Sequence, residues 1–106
     1  MDVPQDERAW HRVPRKWERT LKAIFADPVP ANLRWRDIEA LFVALGAEVV
    51  EGRGSRVTVF LGSAKATFHR PHPHPETDKG ALRAVRRFLI EAGLRPKRDR
   101  QEEEGP

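Results

Sequence analysis

Apolar positions along this chain fall first at helical spacing, then at every second residue, then at helical spacing again. Trp17, Leu21, Ile24 and Phe25 stand at i, i+4, i+7 and i+8. That spacing predicts an amphipathic helix opening at Pro14, whose fixed φ and missing N–H suit a first turn. Asp27-Pro28-Val29-Pro30 ends it. A second helix runs from about Leu33 to Leu45, with Asn32 as a possible cap and Gly46 as its stop. Its stripe is Trp35, Ile38, Leu41, Phe42 and Leu45. After Gly46 the period changes to two. Ala47 to Val50 reads as a short strand, Glu51-Gly52-Arg53-Gly54 as a turn, Ser55 to Leu61 as a second strand and Ala64 to His69 as a third. Arg70 to Pro75 holds three prolines and cannot be central sheet. A last helix follows from about Gly80 to Ala92, capped by Thr77 or Asp78 and burying Leu82, Val85, Phe88 and Leu89.

This order predicts a two-layer α+β domain, with helices over one face of a three-stranded antiparallel sheet. The domain spans residues 14–94, and 14–27 form the first helix. Residues 1–13 show no clear period and are expected to fray. Residues 95–106 form a charged tail expected to be disordered.

Gly62-Ser63 fits a two-residue II′ hairpin, with glycine at the first central position. The register then follows. Leu61 faces Ala64, Val59 faces Ala66 and Val57 faces Phe68, an apolar face that belongs under the helices. On the other face Phe60 meets Lys65, Thr58 meets Thr67 and Arg56 meets His69. That face is polar and basic, with one imidazole and one ring able to stack. A slip of one residue would bury its charges, so the register is well specified.

Composition narrows the chemistry. The chain has 106 residues and no cysteine, which excludes a disulfide framework, a thiolate nucleophile and a Cys-type zinc site. It is too short for a barrel or dinucleotide-binding enzyme. No apolar run approaches a membrane span, and MDVPQDERAWHR has no apolar signal region, so a cytoplasmic protein is the default. The net charge is +4, but residues 37–51 carry −4 and residues 52–90 carry +6. A concentrated basic stretch suits a polyanion such as RNA or DNA; it equally describes a solvated basic surface beside an acidic helix.

The polar sheet face suits phosphodiester chemistry. An imidazole is the usual general base near neutrality, and a guanidinium beside it can hold phosphate and stabilise developing negative charge. Attack by an RNA 2′-hydroxyl would need no metal and no other cofactor. The competing reading is a solvated edge of ordinary polar residues.

Three stretches resemble the HicA family, the toxin subunits of HicA–HicB toxin–antitoxin systems. They are the helix RWRDIEALFVALGAEV, the turn GRGS, and FHRPHPHPETDKGALRAVRRFLIEAGL, and the likeness extends over roughly Leu21 to Pro96. The resemblance implies a double-stranded-RNA-binding-domain-like α-β-β-β-α core, here with an extra N-terminal helix. It implies a metal-independent ribonuclease that cleaves mRNA and inhibits translation. It also implies a HicB-type antitoxin that covers the active face in a hetero-oligomer.

One position departs from the family. The family usually carries Gly-Ser-His at the start of its second strand, with that histidine catalytic. Here the residues are Gly54-Ser55-Arg56, and an arginine cannot act as a base. The register supplies His69 directly across from Arg56, which makes His69 the candidate acid/base and Arg56 a phosphate contact. His72, eight residues before Gly80, stands where the family often has a second histidine and is the next candidate. The alternative is a weakened or inactive HicA-like module that binds RNA or antitoxin. A DNA-binding regulator is less favoured, because no helix-turn-helix pattern appears.

Candidate RNA contacts are Arg53, Ser55, Lys65, Arg70, Lys79, Arg83, Arg86 and Arg87. For the arginines of the last helix, ordinary solvation is an equal reading. The run His69-Arg70-Pro71-His72-Pro73-His74 is read as an accidental His-rich loop rather than a metal site, because alternating prolines splay neighbouring imidazoles. His11 and His74 are read as surface residues.

Overall fold

The computed structural model describes residues 13–94; the frayed terminus and the charged tail expected from the sequence lie, Val13 apart, outside that range. Three helices and three strands follow in the order α1 (Arg15–Ile24), α2 (Trp35–Ala44), β1 (Glu48–Glu51), β2 (Arg56–Leu61), β3 (Ala64–His69) and α3 (Lys79–Glu91). The strands form one antiparallel sheet in the order β1-β2-β3. From α2 onward this is the α-β-β-β-α arrangement of a double-stranded-RNA-binding-like fold, with α1 added in front.

Leu21 and Ile24 of α1, Ile38, Leu41 and Phe42 of α2, Val57 and Val59 of β2, and Leu82, Val85 and Leu89 of α3 are wholly removed from solvent. The helices therefore cover one face of the sheet. Trp35, Phe42, Phe68 and Phe88 join α2, β3 and α3 in a cluster of rings whose centroids lie 5.4–6.3 Å apart. Such edge-on and offset contacts add to the burial of the rings themselves. Val13, grouped by pattern with the fraying terminus, is packed into this core.

The hairpin has the predicted register at all six pairs, from Arg56 opposite His69 to Leu61 opposite Ala64. Gly62 has φ +60°, and no described non-glycine residue has positive φ, so Ser63 does not. This is the II′ pattern, which matches the right-handed twist of the strands. β1 joins β2 with Glu48 opposite Phe60 and Val50 opposite Thr58.

Several element ends differ from the sequence pattern. Pro14 sits in extended backbone one residue before α1 and accepts from the Trp17 N–H at 2.8 Å. α2 opens at Trp35, not Leu33, and Asn32 does not cap it; the residue before the helix is Arg34, with no side-chain cap. The reason is tertiary. Leu33 to Trp35 pair with the loop that follows β3: the Trp35 N–H donates to the Pro75 carbonyl at 3.0 Å, and the Thr77 N–H donates to Leu33 at 2.8 Å. Backbone from a distant segment thus satisfies a first-turn N–H that a cap would otherwise take. α2 ends as expected, with Gly46 at φ +93° and the Ala47 N–H returning to Phe42 at 2.9 Å, a glycine-terminated helix. Of the two candidate caps for α3, Asp78 is the one used, accepting from the Ala81 N–H at 2.7 Å. Thr77 is buried beneath it.

Candidate active site

Alternation along β2 and β3 sends Val57, Val59 and Phe68 into the core and leaves the intervening residues on the open face of the sheet. Three rows result. Arg56 and His69, both exposed, form the first. Thr58 and Thr67 form the second, their hydroxyls hydrogen-bonded at 2.9 Å. Phe60 and Lys65 form the third, with the Lys65 ammonium 5.6 Å from the ring centroid. Register places Val50 beside Thr58 and Glu48 beside Phe60 on this same face. Val50 is one of few large apolar side chains well exposed to solvent, at 42%. The contribution of β1 has no local signal in the sequence, because its register depends on the four-residue turn from Gly52 to Ser55.

The row of Arg56 and His69 lies at a braced end of the sheet. The Gly52 N–H donates to the Arg56 carbonyl at 2.8 Å, and the Arg70 N–H donates to the Ser55 carbonyl at 2.8 Å. These bonds carry the ladder past both residues. A β-carbon at Gly52 would lie 3.4 Å from the Arg56 Cβ and carbonyl oxygen, so the turn closes tightly against the start of β2. Arg53 and Ser55 stand exposed in that turn, next to the row.

Arg70 follows His69 and therefore points to the other side. Its Nε and Nη2 donate to Glu39 of α2 at 2.6 and 3.0 Å, and its Nη1 and Nη2 donate to Glu51 of β1 at 2.8 and 2.9 Å. Trp35 Nε1 also donates to Glu39. Arg70's hydrogen bonds and the nearby guanidinium charge hold the Glu51 carboxyl below its ordinary range. The two carboxylates in turn push the guanidinium pKa upward. The side chain read as an RNA contact is thus a clamp joining the end of β3 to α2 and β1.

Arg86 has a structural task as well. It is half-buried on α3, and its Nε donates to the Ile24 carbonyl at 2.6 Å while its Nη2 donates to the Ala26 carbonyl. It satisfies carbonyls left free at the end of α1, where a cation is favourable. Lys79, Arg83 and Arg87 remain exposed on α3. They lie on the helix that packs against β3 in the layer over the core face of the sheet. His72 and His74 are exposed in the loop between β3 and α3. Among the described residues, no three His, Cys, Asp or Glu side chains gather as a metal-binding group.

The open face therefore brings together one imidazole, one guanidinium, one ammonium, two hydroxyls and an aromatic ring, with the Glu48 carboxylate and Val50 beside them on β1. In a comparison with family models, the one described as HicA toxin of bacterial toxin–antitoxin matches residues 35–94, from the start of α2 to just past α3. Fold and match together define a toxin subunit of a toxin–antitoxin system, a class that works opposite an antitoxin partner. The chain belongs to the HicA toxin family. No curated protein and no solved structure matches it. The helix α1 and its Arg86 anchor precede or bridge out of the matched stretch, so α1 is an addition to the family core.

Proposed function

We propose that this chain is a metal-independent endoribonuclease that cleaves mRNA to halt translation in the cytoplasm, and that a HicB-type antitoxin neutralises it by covering the open sheet face. The observation that carries the reading is the cross-strand pair of Arg56 and His69 on an exposed polar face. In the proposed reaction, the His69 imidazole takes the proton of an RNA 2′-hydroxyl. The 2′-oxygen attacks the adjacent phosphorus, the bond from phosphorus to the 5′-oxygen breaks, and the departing oxygen takes a proton from water or from His72. The products are a 2′,3′-cyclic phosphate and a 5′-hydroxyl. Arg56 binds the non-bridging oxygens, where charge builds as the fifth bond forms.

The test is induction of the gene in a bacterium. Wild type is expected to arrest growth, and His69→Ala to relieve the arrest while leaving the protein folded, since His69 is solvent-exposed. Arrest that survives His69→Ala would remove the catalytic assignment. A second reading is favoured by Arg56 itself, which stands where relatives usually carry the catalytic histidine: a module that binds RNA or antitoxin without cutting. Harmless expression of the wild type, with RNA binding retained, would select it.

A further inference from the structure

We infer that the open sheet face takes its RNA as a single strand lying along β2 and β3, with one base stacked on Phe60 and the scissile phosphate at Arg56 and His69. The inference rests on the RNA-cleaving reading above and adds the state of the substrate and the residue that seats it.

Phe60 faces away from the core. It belongs to none of the ring pairs of the aromatic cluster, and it is half-exposed on a face it shares with Arg56, Thr58, Lys65, Thr67 and His69, and with Glu48 and Val50 of β1. A flat apolar ring on a basic sheet face is the arrangement on which an unpaired base stacks. Lys65 now occupies the ring, 5.6 Å from its centroid. An exposed cation–π contact is weaker than a stacked base, so a base displaces the ammonium and frees it for a neighbouring phosphate. Val50, diagonal to Phe60 and 42% exposed, widens the apolar spot.

The spacing is consistent with one strand serving both ends. Phe60 and Arg56 are four residues apart on β2, about 13 Å at the usual strand rise. An extended nucleic-acid strand covers that distance in a few nucleotides. A duplex meets neither end. Its bases are held in the stack and cannot reach Phe60. Attack by a 2′-oxygen in line with the departing 5′-oxygen also requires a nucleotide released from A-form geometry. The basic residues placed to follow a duplex backbone, Lys79, Arg83 and Arg87, lie in the helix layer rather than on this face.

The experiment measures binding of 2′-O-methyl RNA, which cannot be cleaved, by fluorescence anisotropy, with single strands and duplexes of equal length. Full-length wild type, Phe60→Ala and Phe60→Trp are compared. The expected result is tighter binding of the single strand, a loss of about ten-fold in Phe60→Ala, as removal of one stacking ring gives, and retention in Phe60→Trp. Should Phe60→Ala fail to fold, Phe60→Leu keeps the apolar bulk without the flat ring and is expected to lose binding likewise. Equal binding by folded wild type and Phe60→Ala or Phe60→Leu would overturn the inference, as would preference for the duplex, which would move the RNA to α3. The outcome is separable from cleavage. Phe60-dependent binding without cleavage leaves the single-strand seat on Phe60 standing and removes the nuclease; cleavage with Phe60-indifferent binding does the reverse.

Discussion

Two arginines of this chain look alike in sequence and have parted in the fold. Arg56 ends on an open face beside an imidazole, and Arg70, one position beyond that imidazole, ends between two carboxylates. The alternation of a strand decides between them, because consecutive side chains leave opposite faces. The Arg70 clamp has a pH signature. Its hydrogen bonds and charge depress the Glu51 carboxyl below the ordinary value of 4.5. A depressed carboxylate contributes stability above its unfolded pKa and loses it as pH falls through the folded one. The stability this clamp contributes through Glu51 is therefore expected to be constant from neutrality to about pH 5 and to be lost below that. Glu51→Gln is expected to flatten this acid limb, which urea midpoints taken across the range would show. Arg70→Met leaves Glu39 half-buried without its fork and is expected to cost about 1–2 kcal/mol at neutral pH by the same measurement.

At the scale of elements, the fold rests on local signals and the exceptions on distant ones. The three helical stripes and the II′ turn are written in neighbouring residues, so the element order and the whole β2–β3 register are legible in the sequence itself. The platform follows, since alternation alone puts Arg56, Thr58, Lys65, Thr67 and His69 together. What is not legible depends on partners far along the chain. Glu39 is 31 residues from Arg70, and Ile24 is 62 from Arg86. No local pattern distinguishes Arg86 from Arg83 and Arg87, yet Arg86 is the one that turns to the end of α1. Its loss is measurable: Arg86→Met is expected to destabilise by about 2 kcal/mol, the range for charge-assisted bonds to carbonyls. Arg83→Ala and Arg87→Ala, on the exposed side, are expected to stay within about 0.5 kcal/mol. Thermal melts of the three variants check both statements. The entry of α2 belongs here too, since the Pro75 carbonyl, and not Asn32, receives its first N–H.

The whole molecule divides its tasks between two sides. Helices α1, α2 and α3 supply stability on one face of the sheet, and the exposed residues of the other face carry the proposed chemistry. The family match begins at α2, so α1 is a reinforcement: its Leu21 and Ile24 are wholly buried, and Arg86 ties down its end. Leu21→Ala is expected to cost about 2–5 kcal/mol while leaving activity per folded molecule unchanged, because α1 packs on α2 and α3 rather than on the open face. Purified chain incubated with end-labelled single-stranded RNA, in a chelator, tests the central claim most directly. The account predicts fragments ending in 2′,3′-cyclic phosphate, formed by wild type and reduced at least about 100-fold in His69→Ala, the least a lost general base costs. Fragments produced at the wild-type rate by folded His69→Ala would contradict it.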